Sequence, residues 1–193
     1  DHNEQHQTSF ESEIRYPTTK GDTFLKIGIN DQNMNTPSDR DQNQLHSDRQ
    51  GTDTPKDYVK SDGGSLLYGS DYRINDSITL IINSSFRLKD SYSDLQSSDS
   101  SPSYSETFLR NYQFTPRINH LFNLFGKNVN FTYGTDIQYA DYYSHRKKNQ
   151  TSIPLHVYDA WQTTQALYSQ QSTHLTNNII LGTGMRLQRN QIA

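Results

Sequence analysis

The sequence predicts an all-β fold, an antiparallel up-and-down transmembrane β-barrel segment of about eight strands joined by hairpins. Three observations carry that reading. Large apolar residues recur with period two along many segments. Short turn-rich links alternate with long polar ones. The composition is poor in hydrophobes yet rich in aromatics.

Only 31% of the 193 residues are apolar, against about 45–50% in ordinary globular domains. The mean hydropathy is −0.95. Disordered chains share such values but lack aromatics, and this chain has 13 Tyr, 8 Phe and 1 Trp. A sheet with one apolar and one polar face uses its hydrophobes in that way. No cysteine is present, which excludes disulfides and Cys-based metal centres. The net charge of −3, with both signs interspersed, offers no basic face for nucleic acid. The longest apolar run, Leu80-Ile81-Ile82, is far short of the roughly 20 residues of a membrane helix.

The strands follow in order. Phe10, Ile14 and Tyr16 alternate with Glu11, Glu13 and Arg15. Pro17 to Gly21 then marks a tight turn. Leu25, Ile27 and Ile29 alternate with Lys26, Gly28 and Asn30, and a polar link spans Asp31 to Lys60. Leu66, Tyr68, Tyr72 and Ile74 alternate with Ser65, Gly69, Asp71 and Arg73. Asn75-Asp76 reads as a hairpin turn.

From Ser77 to Leu88 the signal is strongest: five of six even positions are apolar, against one of six odd positions. Successive side chains of a strand point to opposite faces, so this strand has one greasy face. After a polar link around Lys89 to Ser103, Phe108, Tyr112, Phe114 and Ile118 alternate with Asn111, Gln113 and Arg117. The link from Asn119 to Asn128, holding Leu121, Phe122, Leu124 and Phe125, is too long and apolar for a simple turn, and reads as a turn anchored at a membrane surface. Val129, Phe131, Tyr133, Ile137 and Tyr139 then oppose Asn130, Thr132, Gly134, Asp136 and Gln138. Beyond the link from Lys147 to Pro154, Val157 to Gln170 alternates least clearly. Ser172 to Thr176 is a short link, and Ile179, Leu181, Met185 and Leu187 form the last apolar face. Alternating short and long links match the periplasmic turns and outer loops of an outer-membrane barrel.

At this point the chain resembles a known family. Tyr168-Ser169-Gln170-Gln171 and the following Leu175 to Arg186, with Leu181, Gly184 and Arg186, look like a strand–turn–strand of TonB-dependent outer-membrane receptors. Phe131 to Tyr139 is similar to another strand of such receptors, as are Asp31-Gln32 and Ser61-Asp62-Gly63-Gly64 around the first long loop. The resemblance implies active uptake of a scarce solute such as a ferric siderophore or cobalamin. It places the chain in the bacterial outer membrane, among lipid, and coupled to an inner-membrane energy complex through parts absent here. Residues 1–193 then form a partial barrel with no plug domain and no signal peptide. Full barrels of the family have about 22 strands, and the chain ends Gln191-Ile192-Ala193 rather than on an aromatic, so it reads as an internal segment.

Candidate ligand-binding residues are Tyr142, Tyr143, His145 and Arg146 at a strand end, with Lys147 and Lys148 beside them, and His46 and Arg49 in the first long loop. Arg supplies charge and hydrogen bonds to anionic chelates, and Tyr a rigid amphipathic surface. The same residue types also make the aromatic girdle and lipid contacts of any membrane barrel. Charges on the polar face (Glu11, Glu13, Arg15, Asp71, Arg73, Arg87, Asp136 and Arg186) either guide a solute or pair with one another or with a plug. His2 and His6 have a metal-like spacing only on a helix, which this stretch does not predict. No metal site, cofactor or catalytic motif is expected, so the chain is not read as an enzyme. The alternative functional reading is a complete eight-stranded barrel with a structural or adhesion role, whose first and last strands pair. A soluble β-sandwich is the third, with its apolar faces buried between two sheets.

Overall fold

The computed structural model describes residues 4–36, 42–48, 56–95, 104–176 and 178–193. Eight strands form one antiparallel sheet in sequential order. They are β1 (Gln5–Thr18), β2 (Gly21–Asn35), β3 (Tyr58–Asn75), β4 (Ile78–Asp94), β5 (Tyr104–Leu124), β6 (Lys127–Lys147), β7 (Pro154–His174) and β8 (Ile180–Ile192). A six-residue helix, α1 (Gln42–Ser47), lies in the first long loop. Strands of 13 to 21 residues rise about 3.3 Å per residue, well beyond the roughly 9–11 needed to cross a bilayer.

The register aligns one apolar face across the whole sheet. Ile14 pairs with Leu25, Leu25 with Tyr68, Leu66 with Phe86, Phe86 with Tyr112, and Tyr112 with Tyr139. Directly opposed residues on one face are the unit of sheet stabilisation. Here they form an aromatic ladder, with ring centroids 4.7 Å apart for Phe86 and Tyr112 and 6.1 Å for Tyr112 and Tyr139. The other face is lined by Asn83, Ser85, Asn111, Gln113, Gln138 and Thr164 in the same register.

No second layer covers the apolar face among the described residues. Among the described residues only Tyr104, Val129 and Ala166 are buried hydrophobics, while Ile14, Leu167, Met185 and Leu187 are each more than 60% exposed. A β-sandwich would have buried these residues against a facing sheet. The sheet is also open, with β1 and β8 as its edges. The closed eight-stranded barrel is therefore not the observed arrangement.

The short links are tight. Gly21 follows the β1–β2 turn with φ 152°, where a side chain would run into the Asp71 carbonyl. At the β3–β4 turn the Asn75 side-chain oxygen accepts hydrogen bonds from the Ser77 and Ile78 amides, 2.9 Å each, and a β-bulge at Arg73–Asn75 sets Ile74 out of register.

The β5–β6 link differs from the sequence expectation. It is no long apolar excursion but a two-residue turn, Phe125-Gly126, with Leu124 paired to Lys127. Both central residues have positive φ, 52° and 77°, as the hairpin turn matching strand twist requires. Leu121, Phe122 and Leu124 belong to the strand. The polar links also shorten, because β2 continues to Asn35, β3 begins at Tyr58, and β4 continues to Asp94.

Candidate functional site

Alternation along β6 divides the candidate cluster between the two faces. Tyr143 and His145 share the apolar-face parity with Tyr139, whereas Tyr142 and Arg146 share the polar-face parity with Gln138. Lys147 falls with Tyr143 and His145, and Lys148 follows the strand end. His46 is exposed on α1, in the β2–β3 loop, and β4 and β5 lie between those strands and β6. Arg49 lies outside the described residues, as does His2. His6 is in β1 and contacts Glu4 at 3.0 Å, so the helical geometry that a metal pair needs is not formed.

The apolar-face group is closed on itself. It sits at the loop end, beyond the apolar band. The Lys147 ammonium donates to the Glu106 carboxylate at 2.8 Å, and His145 Nδ1 lies 3.4 Å from the same carboxylate. His145 Nε2 contacts the Tyr143 hydroxyl. Phe108 packs against Tyr143 with centroids 6.3 Å apart, and Tyr92 meets Phe108 edge-on at 6.1 Å. Lys147 also lies over the Tyr104 ring.

Burial pushes the Glu106 carboxyl up, but hydrogen bonds from Lys147, His145 and Tyr104 outweigh it and hold the group below its ordinary value of 4.5. Burial first, and then the charge of Glu106, pushes the Tyr104 phenol up to about 12. With its donors and acceptors engaged in this way, the group fastens β5 to β6.

The polar-face group is open. The Arg146 guanidinium stands 5.9 Å from the centroid of the Tyr158 ring, a cation–π distance. Tyr142 is 39% exposed and Tyr158 48%. An Arg over one aromatic beside a second exposed Tyr presents charge, hydrogen-bond donors and ring surface together. Tyr158, Glu106 and Tyr104 were not among the sequence candidates, because each reaches the cluster from a neighbouring strand whose register the sequence does not print. The parity of 142 and 146 against 143 and 145 was readable in the sequence.

Most polar-face charges pair with one another. Arg15 bridges Glu13 and Asp22, Lys26 meets Glu11 at 2.8 Å, and Arg186 meets Asp136. The Asp71 carboxylate accepts from the Asp22 amide at 2.9 Å.

No family model matches the sequence, and no curated protein matches it. Solved structures do match in fold. The ferric citrate transporter FecA in its unliganded form superposes with a TM-score of 0.82 at 12% identity, covering 100% of this chain and 30% of that one. Pseudomonas aeruginosa FpvA bound to a pyoverdine–iron complex gives 0.81 at 8% identity, with 100% and 31% covered. The ferric-catecholate import receptor Fiu from Escherichia coli K12 gives 0.72 at 10% identity, with 100% and 35% covered. The chain thus spans about a third of the length of these receptors, and it shares their fold over its whole length.

Proposed function

We propose that the chain is a wall segment of an outer-membrane active-transport receptor that takes up a scarce solute such as a ferric siderophore. The observation that carries this reading is the superposition of the entire chain onto about a third of receptors for iron chelates. The uncovered apolar face supports it, since lipid is the solvent that such a face requires. In this reading outer-membrane lipid contacts the apolar face and the polar face lines the lumen. Tyr142, Arg146 and Tyr158 offer the outer rim of the lumen to a chelate, whereas Tyr143 and His145 hold the wall together. His46 belongs to the first outer loop. Energy comes from an inner-membrane complex acting through parts of the receptor outside this chain, and the chain carries out no catalysis of its own.

The test is growth on chelated iron. Deleting the coding segment in its host is expected to abolish growth on at least one ferric chelate as sole iron source, while growth on free ferrous iron is unchanged. Unaltered uptake of every chelate in a broad panel would contradict the proposal.

A further inference from the structure

Several cations on the polar face stand outside the pairing just described, Arg73, Arg87, Lys89 and Arg117 among them, and of these four Arg87 alone lines the cavity that Asn111 and Gln113 share. The Arg87 side chain makes no ion pair or hydrogen bond among the described residues, and it is exposed. It lines a cavity of about 350 Å³ with Phe24, Leu67, Asn83, Asn111, Gln113 and Thr115. The cross-strand register explains why the space is open. Arg87 pairs with Ser65 on one side and Asn111 on the other, and Ser85 pairs with Leu67 and Gln113. Small and amide side chains surround the guanidinium, and the Phe24 ring lies over Gly69 at the lower wall.

Electrostatics single out the same place. By parity, neither β4 nor β5 places an acidic residue on the polar face. They place Arg87, Lys89 and Arg117 there. Of the acids that flank this wall, Glu11 is held by Lys26 and Asp136 by Arg186, while Asp71, toward the turn end of β3, accepts from the Asp22 amide and does not line the cavity. An unpaired guanidinium with amide donors around it, in a cavity free of acids, is built for an oxyanion.

The geometry points to a carboxylate or phosphate subsite at Arg87, with the Asn111 and Gln113 amides as further donors. It rests on the reading of the polar face as a lumen and adds the chemical class of what that lumen holds. The anion comes from a small solute. A carboxylate from another part of the same protein is the competing source, and the test separates the two.

The intact protein that carries this segment, folded in detergent, is treated with an arginine-specific dicarbonyl reagent, and labelling at each Arg is followed by mass spectrometry. Arg73 is the control, since it is exposed on the polar face but lies outside the cavity. Arg87 is expected to label as fast as Arg73. Inorganic phosphate or succinate, in roughly tenfold excess over its dissociation constant, should slow Arg87 about tenfold and leave Arg73 unchanged. In Arg87→Gln, calorimetric binding of phosphate should vanish, while Arg87→Lys should keep a weakened response.

Labelling of Arg87 that neither anion slows would overturn the subsite. Failure of Arg87 to label at all while Arg73 reacts would mean that another part of the protein fills the cavity, and would equally overturn it. Both outcomes are independent of chelate-dependent growth, so the subsite and the receptor reading can fail separately.

Discussion

The two faces of this sheet are made from alternate residues of the same strands, yet different physics governs them. The apolar face is continuous through its middle, with Leu25, Tyr68, Phe86, Tyr112 and Tyr139 in register. Ser84 and, in β7, Thr163, Gln165 and Ser169 interrupt it, and at its loop end it turns polar, where the Glu106 group closes on itself. The polar face sets charges of both signs among neutral amides and hydroxyls. Its ions pair near β1–β2 and β6–β8 but leave the β4–β5 wall with unmatched cations. One face therefore holds the sheet in its solvent, and the other is available for recognition.

The largest expected effect breaks the contrast in the middle of β6. Ile137→Arg puts a charge on the apolar face and should cost about 2–4 kcal/mol of folding stability in lipid or detergent. Gln138→Arg, one residue on but on the other face, should stay within about 0.5 kcal/mol. Denaturant titration of the two variants checks the pair, and equal losses would dissolve the distinction.

Next in size is the loop end. Glu106→Gln should destabilise by about 1–3 kcal/mol, because Lys147 and His145 lose their common carboxylate and its charge. Arg146→Gln on the open face should change stability by no more than about 0.5 kcal/mol and lower solute uptake instead.

The pH dependence follows from the same carboxyl. Its folded value lies below the ordinary 4.5, so its contribution is complete above that value and is lost as pH falls through the lower folded one. Acid titration of the wild type below about pH 4.5 should show this loss, and Glu106→Gln should not.

The smallest effect concerns the β5–β6 turn, where the chain crosses from one strand to the next. Phe125 is 94% exposed with φ 52°, a region that disfavours L-residues other than Asn and Asp. Phe125→Asn should stabilise the hairpin by about 1 kcal/mol, read as a shift in denaturation midpoint.

Much of the fold was legible because a sheet with one apolar and one polar face imposes opposite demands on alternate residues. Ser77 to Leu88 states both demands without exception on the apolar side save Ser84. Beyond the apolar band that demand ends. Both faces of 31–35, 58–64 and 89–94 are mostly polar, so the sequence reads as loop where the structure continues the strand. The β5–β6 turn was missed for the reverse reason. Its residues are apolar, and Phe at a positive-φ position is the opposite of a turn signal. In β7, Thr163, Gln165 and Ser169 interrupt the apolar parity set by Trp161 and Leu167, which blurred the period. The site was half legible. Residue types located the strand end, but the partners Glu106, Tyr104 and Tyr158 required the register.

The central claim is that the apolar face meets lipid and the polar face meets water. The chain has no cysteine, so single cysteines can be placed one at a time from Asp136 to Ala140 in the protein reconstituted into vesicles. A membrane-impermeant maleimide should label positions 136, 138 and 140, while a lipid-phase quencher should reach a fluorophore only at 137 and 139. Uniform labelling across the five positions, or the opposite phase, would contradict the account.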